Sequence, residues 1–145
     1  MDLNMKYTIG VANYMRDNAS AFNLNANDMW VLGYLHNIDE FTIKDNNEEN
    51  GAEVLHKLGF KFAQYTSWCK TSPMKYCKVH LVEQPPRELI LLWKAMYSIN
   101  NDGEFVGFDK YLKELKLELG LMNLQYMIAS ETIEWIKEYE NSKTK

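Results

Sequence analysis

Cysteine, proline and arginine are all scarce in this chain, and each scarcity removes a class of explanation. Only Cys69 and Cys77 could form a disulfide, and a chain that is 46% apolar does not need such a staple, so both thiols are expected to be reduced. Proline occurs only at Pro73, Pro85 and Pro86, which leaves long stretches free to be helical. Arg16 and Arg87 are the only arginines; the 16 basic residues, nearly all lysine, face 20 acidic ones for a net charge of -4. With no basic stripe, a phosphate-backbone partner is disfavoured and nucleic acid is not expected to bind.

Long apolar runs are missing too. Nowhere do about 18 apolar residues follow one another, so no membrane span is expected. Met1 to Thr8 carries charges and no apolar run of signal-peptide length, which makes the cytoplasm the expected location. No glycine-rich phosphate cradle is present, because Gly103 and Gly107 fall in a turn instead of between a strand and a helix, and no serine sits in a nucleophile elbow. The lysine bias and the abundance of asparagine point to an AT-rich bacterial or phage genome.

What is present reads as helix. A chain of 145 residues buries roughly two-thirds of its unfolded surface, enough for one core, so residues 1–145 are expected to form a single domain. Tyr7 to Phe22 carries Ile9, Val11, Ala12, Met15, Ala19 and Phe22 near helical spacing. Asn25 or Asn27 can cap a second helix whose Met29, Trp30, Leu32, Tyr34 and Leu35 are apolar nearly all round, which suits a core position. The acidic stretch Phe41 to Asn50 reads as a loop, Ala52 to Gly59 as a short helix, and Lys61 to Cys69 as another that Thr71-Ser72-Pro73 breaks. Met74 to Val82 alternates weakly, predicting a short strand or an irregular segment. Pro86 suits a first helical turn before Leu89 to Tyr97, Asn100 to Gly103 is a turn, and Gly120 can close an amphipathic helix carrying Phe108, Tyr111, Leu112, Leu115 and Leu119. A last helix places Met127, Ile128, Trp135, Ile136 and Tyr139 on one side. The fold class is therefore all-α, a compact single domain of about six or seven helices.

One segment carries more than periodicity: an apolar helix running into Leu35-His36-Asn37-Ile38-Asp39. It resembles the Leu-His-Asp-Ile-Gly signature of HD-domain phosphohydrolases. The resemblance spans roughly Tyr7 to Gly120, through the later Gly-Ala-Glu-Val-Leu and Leu-Leu-x-Lys-Ala stretches. In that family two histidines and two aspartates hold a divalent metal that activates water against a phosphoester, since the cation lowers the pKa of its water and offsets phosphate charge. Laid on this sequence, the first histidine falls at Tyr7, the central pair at His36 and Asn37, and the later aspartate at Met96. Asn50 and the Cys69-Lys70 step stand where auxiliary histidines would be. Neither an amide nor a thioether replaces a carboxylate for a hard cation, so the resemblance implies an HD-like fold that has lost its metal and its catalysis.

Other residues admit rival readings. His36 is also what a hydrogen-bonded structural histidine at a helix end would look like, and a His36–Glu40 pair one turn apart could ligate a metal only if the helix continued. Cys69, Cys77, His80 and His56 lack the paired Cys-x-x-Cys of a zinc site. Trp68, Lys70 and Lys94 could line the former metal cleft and hold an anion or a nucleotide phosphate. Asp39, Glu40, Asp45, Glu48 and Glu49 form an acidic rim suited to a basic partner. Trp135 and Tyr139 are further candidates for a partner or dimer contact. The expected function is thus binding without catalysis, most plausibly of a protein, as for a phage or mobile-element inhibitor of a host enzyme. No metal or cofactor is expected. A metal-dependent nucleotide phosphohydrolase using His36, or a nucleotide sensor that no longer hydrolyses, are the alternatives.

Overall fold

The computed structural model describes residues 5–37 and 51–143, and it is helical throughout. Eight α-helices follow one another among these residues: α1 Met5–Asn18, α2 Ala26–Leu35, α3 Gly51–Lys57, α4 Tyr65–Trp68, α5 Pro73–His80, α6 Arg87–Met96, α7 Phe108–Leu119 and α8 Leu124–Lys143. No strand occurs among the described residues; a single antiparallel bridge, Ile99 to Phe105, closes the turn before α7.

The core forms where apolar periodicity is strongest. In α1 the buried residues are Thr8, Val11, Ala12 and Met15, the spacing of one helix face. That face meets Met29, Leu32 and Gly33 of α2. A β-carbon at Gly33 would stand 2.8 Å from the Ala12 Cα and 3.0 Å from the Met15 Sδ, so the missing side chain is what lets α1 and α2 approach this closely. Helix α6 runs through the middle: Leu89 to Trp93 and Ala95 are all buried, as expected of a helix apolar nearly all round. Trp93 is fully buried, and its Nε1 donates to the Cys69 carbonyl at 3.0 Å, tying the segment after α4 to the centre. Ala129, Ile133 and Ile136 of α8 complete the core.

Helix ends follow local chemistry. Asn25 caps α2, its side chain accepting from the Asp28 amide at 2.9 Å. Gly120, with φ 88°, ends α7 by donating to the Lys116 carbonyl at 2.8 Å.

Four sequence expectations need correction. Met74 to Val82 is neither strand nor irregular: α5 occupies Pro73–His80, because the Ser72 side chain accepts from the Lys75 amide, Pro73 fits the first helical position, and Leu81 closes the helix in a left-handed conformation (φ 55°). Thr71-Ser72-Pro73 therefore starts a helix as much as it ends one. The expected helix over Lys61 to Cys69 shrinks to Tyr65–Trp68, since Gly59 turns the chain with φ 86° and hydrogen-bonded turns fill the residues between. The first helix stops at Asn18; a separate 3-10 turn at Ser20–Phe22 follows, closed by Asn23 at φ 57°. In α8 the buried face carries Ala129, Thr132, Ile133, Ile136 and Tyr139, whereas Met127 points outward at 51% exposure. No described helix is long and apolar enough to cross a membrane.

Candidate functional site

Tyr7, His36 and Met96 come from three different helices and meet. Tyr7 lies in the first turn of α1, His36 caps the C-terminus of α2, and Met96 ends α6. The Tyr7 ring packs edge-on against His36 with centroids 5.8 Å apart, and its hydroxyl donates to the Met96 carbonyl at 3.0 Å across 89 residues of sequence. Asn37 is half-buried in the turn that follows His36.

His36 is 1% exposed. Its Nδ1 lies 2.5 Å from the Gly33 carbonyl, an acceptor, so Nδ1 carries the proton and Nε2 is left as a bare lone pair. That Nε2 is sealed from solvent with no hydrogen-bond partner. Burial pushes the His36 pKa down to about 4; the Gly33 hydrogen bond opposes this, and the Lys70 charge adds to it. At neutral pH the centre is therefore an uncharged imidazole beside a phenol whose hydroxyl is bonded to the Met96 backbone carbonyl. Among the described residues no three His, Cys, Asp or Glu side chains are grouped to hold a metal ion. Asp39, Glu40, Asp45, Glu48, Glu49 and Asn50 lie outside the described residues.

The cysteines and remaining histidines are scattered. Cys69 is buried and directs its Sγ to the Thr66 carbonyl at 3.3 Å, Cys77 is half-buried, and the two are not joined by a disulfide. His56 is exposed in the last turn of α3. His80 stacks on Tyr76, centroids 4.0 Å apart, and meets Trp68 edge-on at 4.8 Å.

The three residues expected to share a ligand cleft are distributed over different surroundings. Trp68 packs among Tyr76 and His80. Lys94 pairs with Glu140 of α8 at 2.8 Å. Lys70 lines a cavity of about 270 Å³ between the end of α6 and helices α7 and α8, together with Met96, Tyr97, Tyr111, Leu115, Gln125 and Ile128. This cavity shares Met96 with the Tyr7–His36 cluster and Lys70 with the electrostatic surroundings of His36. Sequence reading treated Tyr97, Tyr111 and Leu115 as packing positions, which their periodicity supports; the space they enclose depends on where α8 crosses, and Gln125 at its start gives no signal in the sequence.

A second, open groove of about 460 Å³ runs along α8 between Glu83, Gln84, Trp135, Glu138, Tyr139 and Ser142. Trp135 stacks on Tyr139 with centroids 5.4 Å apart, and the Lys143 ammonium sits 4.5 Å above the Tyr139 ring. Compared with family models, curated proteins and solved structures, the chain finds no match.

Proposed function

We propose that the protein is a catalytically inactive member of the HD-domain superfamily that acts by binding a protein partner. The meeting of Tyr7, His36 and Met96 carries this reading. The sequence resemblance lays lost metal ligands on those positions, and the Tyr7 side chain lies against both His36 and the Met96 carbonyl. Their chemistry supports the loss of function: the phenol hydroxyl donates to the Met96 backbone carbonyl, the imidazole Nδ1 to the Gly33 carbonyl, and Met96 has no carboxylate to offer a hard cation.

Binding is the activity left to such a fold. The net charge of -4 suits a basic partner surface. The groove along α8 adds two stacked aromatic rings flanked by Glu83 and Glu138, and Lys143 over Tyr139 illustrates a basic side chain resting on that platform. Incubation of the purified chain with nucleoside mono-, di- and triphosphates and manganese tests the loss of catalysis. No phosphate release above the blank is expected; turnover that disappears in His36→Ala would overturn the reading.

A further inference from the structure

Trp135, Glu138, Tyr139 and Ser142 stand at the spacing i, i+3, i+4, i+7 along α8 and so share one face of the helix. The other residues lining the groove on that face, Glu83 and Gln84, belong to the connection between α5 and α6, where Leu81 turns the chain at φ 55° and the buried Pro85 holds it against the fold. One wall of this groove of about 460 Å³ is aromatic. Tyr139 is 7% exposed, and the half-buried Trp135 stacks on it with ring planes 16° apart.

The polar groups of the groove are arranged to accept hydrogen bonds. Glu83 and Glu138 are exposed, and among the described residues neither carboxylate takes part in an ion pair or a hydrogen bond. Ser142 donates its hydroxyl proton to the Tyr139 carbonyl at 2.8 Å, which leaves its oxygen as an acceptor. Glu134, exposed one turn before Glu138, adds a like charge at a spacing that disfavours the helix until a cation offsets it. Among the described residues no lysine or arginine lines the groove. The neighbouring Lys143 holds its ammonium 4.5 Å from the Tyr139 ring centre, so a cation of the chain itself already uses this aromatic pair, and one ammonium does not neutralise three carboxylates.

An arginine matches all of these features at once. Its guanidinium carries a positive charge, five donors and no acceptor, and its plane can lie on an indole while its edge pairs with carboxylates. A lysine ammonium offers the charge without the plane. We propose that the groove is the docking site for an arginine-bearing segment of the partner protein, with the guanidinium stacked on Trp135 and its edge toward Glu138 and Glu83. The inference rests on the protein-binding reading and deepens it by naming the partner's chemistry. Nucleotide turnover would overturn the non-catalytic half of that reading and leave this groove untouched.

Suitable probes are end-blocked tripeptides with arginine, lysine or the neutral arginine isostere citrulline between two glycines. Titrated into the full chain at low ionic strength, the arginine peptide is expected to give saturable shifts of the Trp135 indole N–H resonance. The lysine peptide should bind about threefold and the citrulline peptide about tenfold more weakly. Glu138→Gln, a change at an exposed position, should reduce the arginine-over-citrulline ratio to about threefold while retaining a cooperative melt. Absence of saturable shifts at Trp135, equal affinity for arginine and lysine, or an unchanged ratio in Glu138→Gln would each overturn the proposal. Sedimentation of the chain alone tests the other occupant: no self-association that depends on Glu138 is expected, and a dimer dissolved by Glu138→Gln would assign the groove to a second copy of the chain and overturn the assignment to a partner.

Discussion

The surroundings of Met96 at the end of α6 differ on their two sides, closed toward His36 and open toward α7 and α8. Beside His36, α1 and α2 are packed so closely that Gly33 leaves no room for a methyl group, and the His36 ring is 1% exposed. Where α7 turns into α8, Leu117 (81%), Met122 (90%) and Leu124 (68%) are mostly exposed, α7 has no fully buried residue, and a cavity opens beneath. The closed end resembles a site filled in by its own side chains; the open end is where space and unsatisfied apolar surface remain.

The sharpest way to break the comparison is to hollow out the closed end. Trp93→Ala removes the largest fully buried side chain and its bond to the Cys69 carbonyl, and should cost about 3–5 kcal/mol in urea unfolding. A loss under about 1 kcal/mol would mean that the centre is not the rigid body described.

His36 gives the next largest effect, through pH. Its folded pKa of about 4 lies below the unfolded value near 6.5, so the unfolded chain binds the proton first. Stability contributed by keeping His36 neutral is fully present above about pH 6.5 and falls as pH drops toward 4, by about 3 kcal/mol at most. Denaturant titrations of the native chain and His36→Leu across this range should show the variant with the flatter profile. Parallel profiles would place the titration elsewhere.

The smallest effect belongs to the open end. Met122→Lys should change stability by no more than about 0.5 kcal/mol, because the side chain is 90% exposed and leaves no cavity behind. A larger loss in thermal unfolding would show that this tip is covered in solution.

Much of this contrast was legible in the chain. The apolar run Leu89 to Trp93 marked a central helix, whereas α2, apolar nearly all round in sequence, buries only Met29, Leu32 and Gly33 and leaves Val31 exposed; Asn25 and Gly120 acted as the caps their chemistry suggested. The contact of Tyr7 with the Met96 carbonyl was not legible from periodicity, which cannot relate positions 89 residues apart. Helix α5 escaped notice because its caps, Ser72 and Leu81, define it better than its apolar spacing does. The cavity was hidden for a different reason: Tyr97 and Tyr111 have core periodicity, and a gap between three packed helices is a property of their crossing rather than of any one sequence.

The proposed loss of catalysis requires that the His36 cluster hold no divalent cation. Equilibrating the purified chain with excess manganese, removing unbound metal by gel filtration and measuring the metal retained per chain tests it most directly. Retention below about one-tenth of an equivalent is predicted, since among the described residues no three His, Cys, Asp or Glu side chains are grouped to hold a metal ion. One equivalent retained by the native chain and lost in His36→Ala would contradict it.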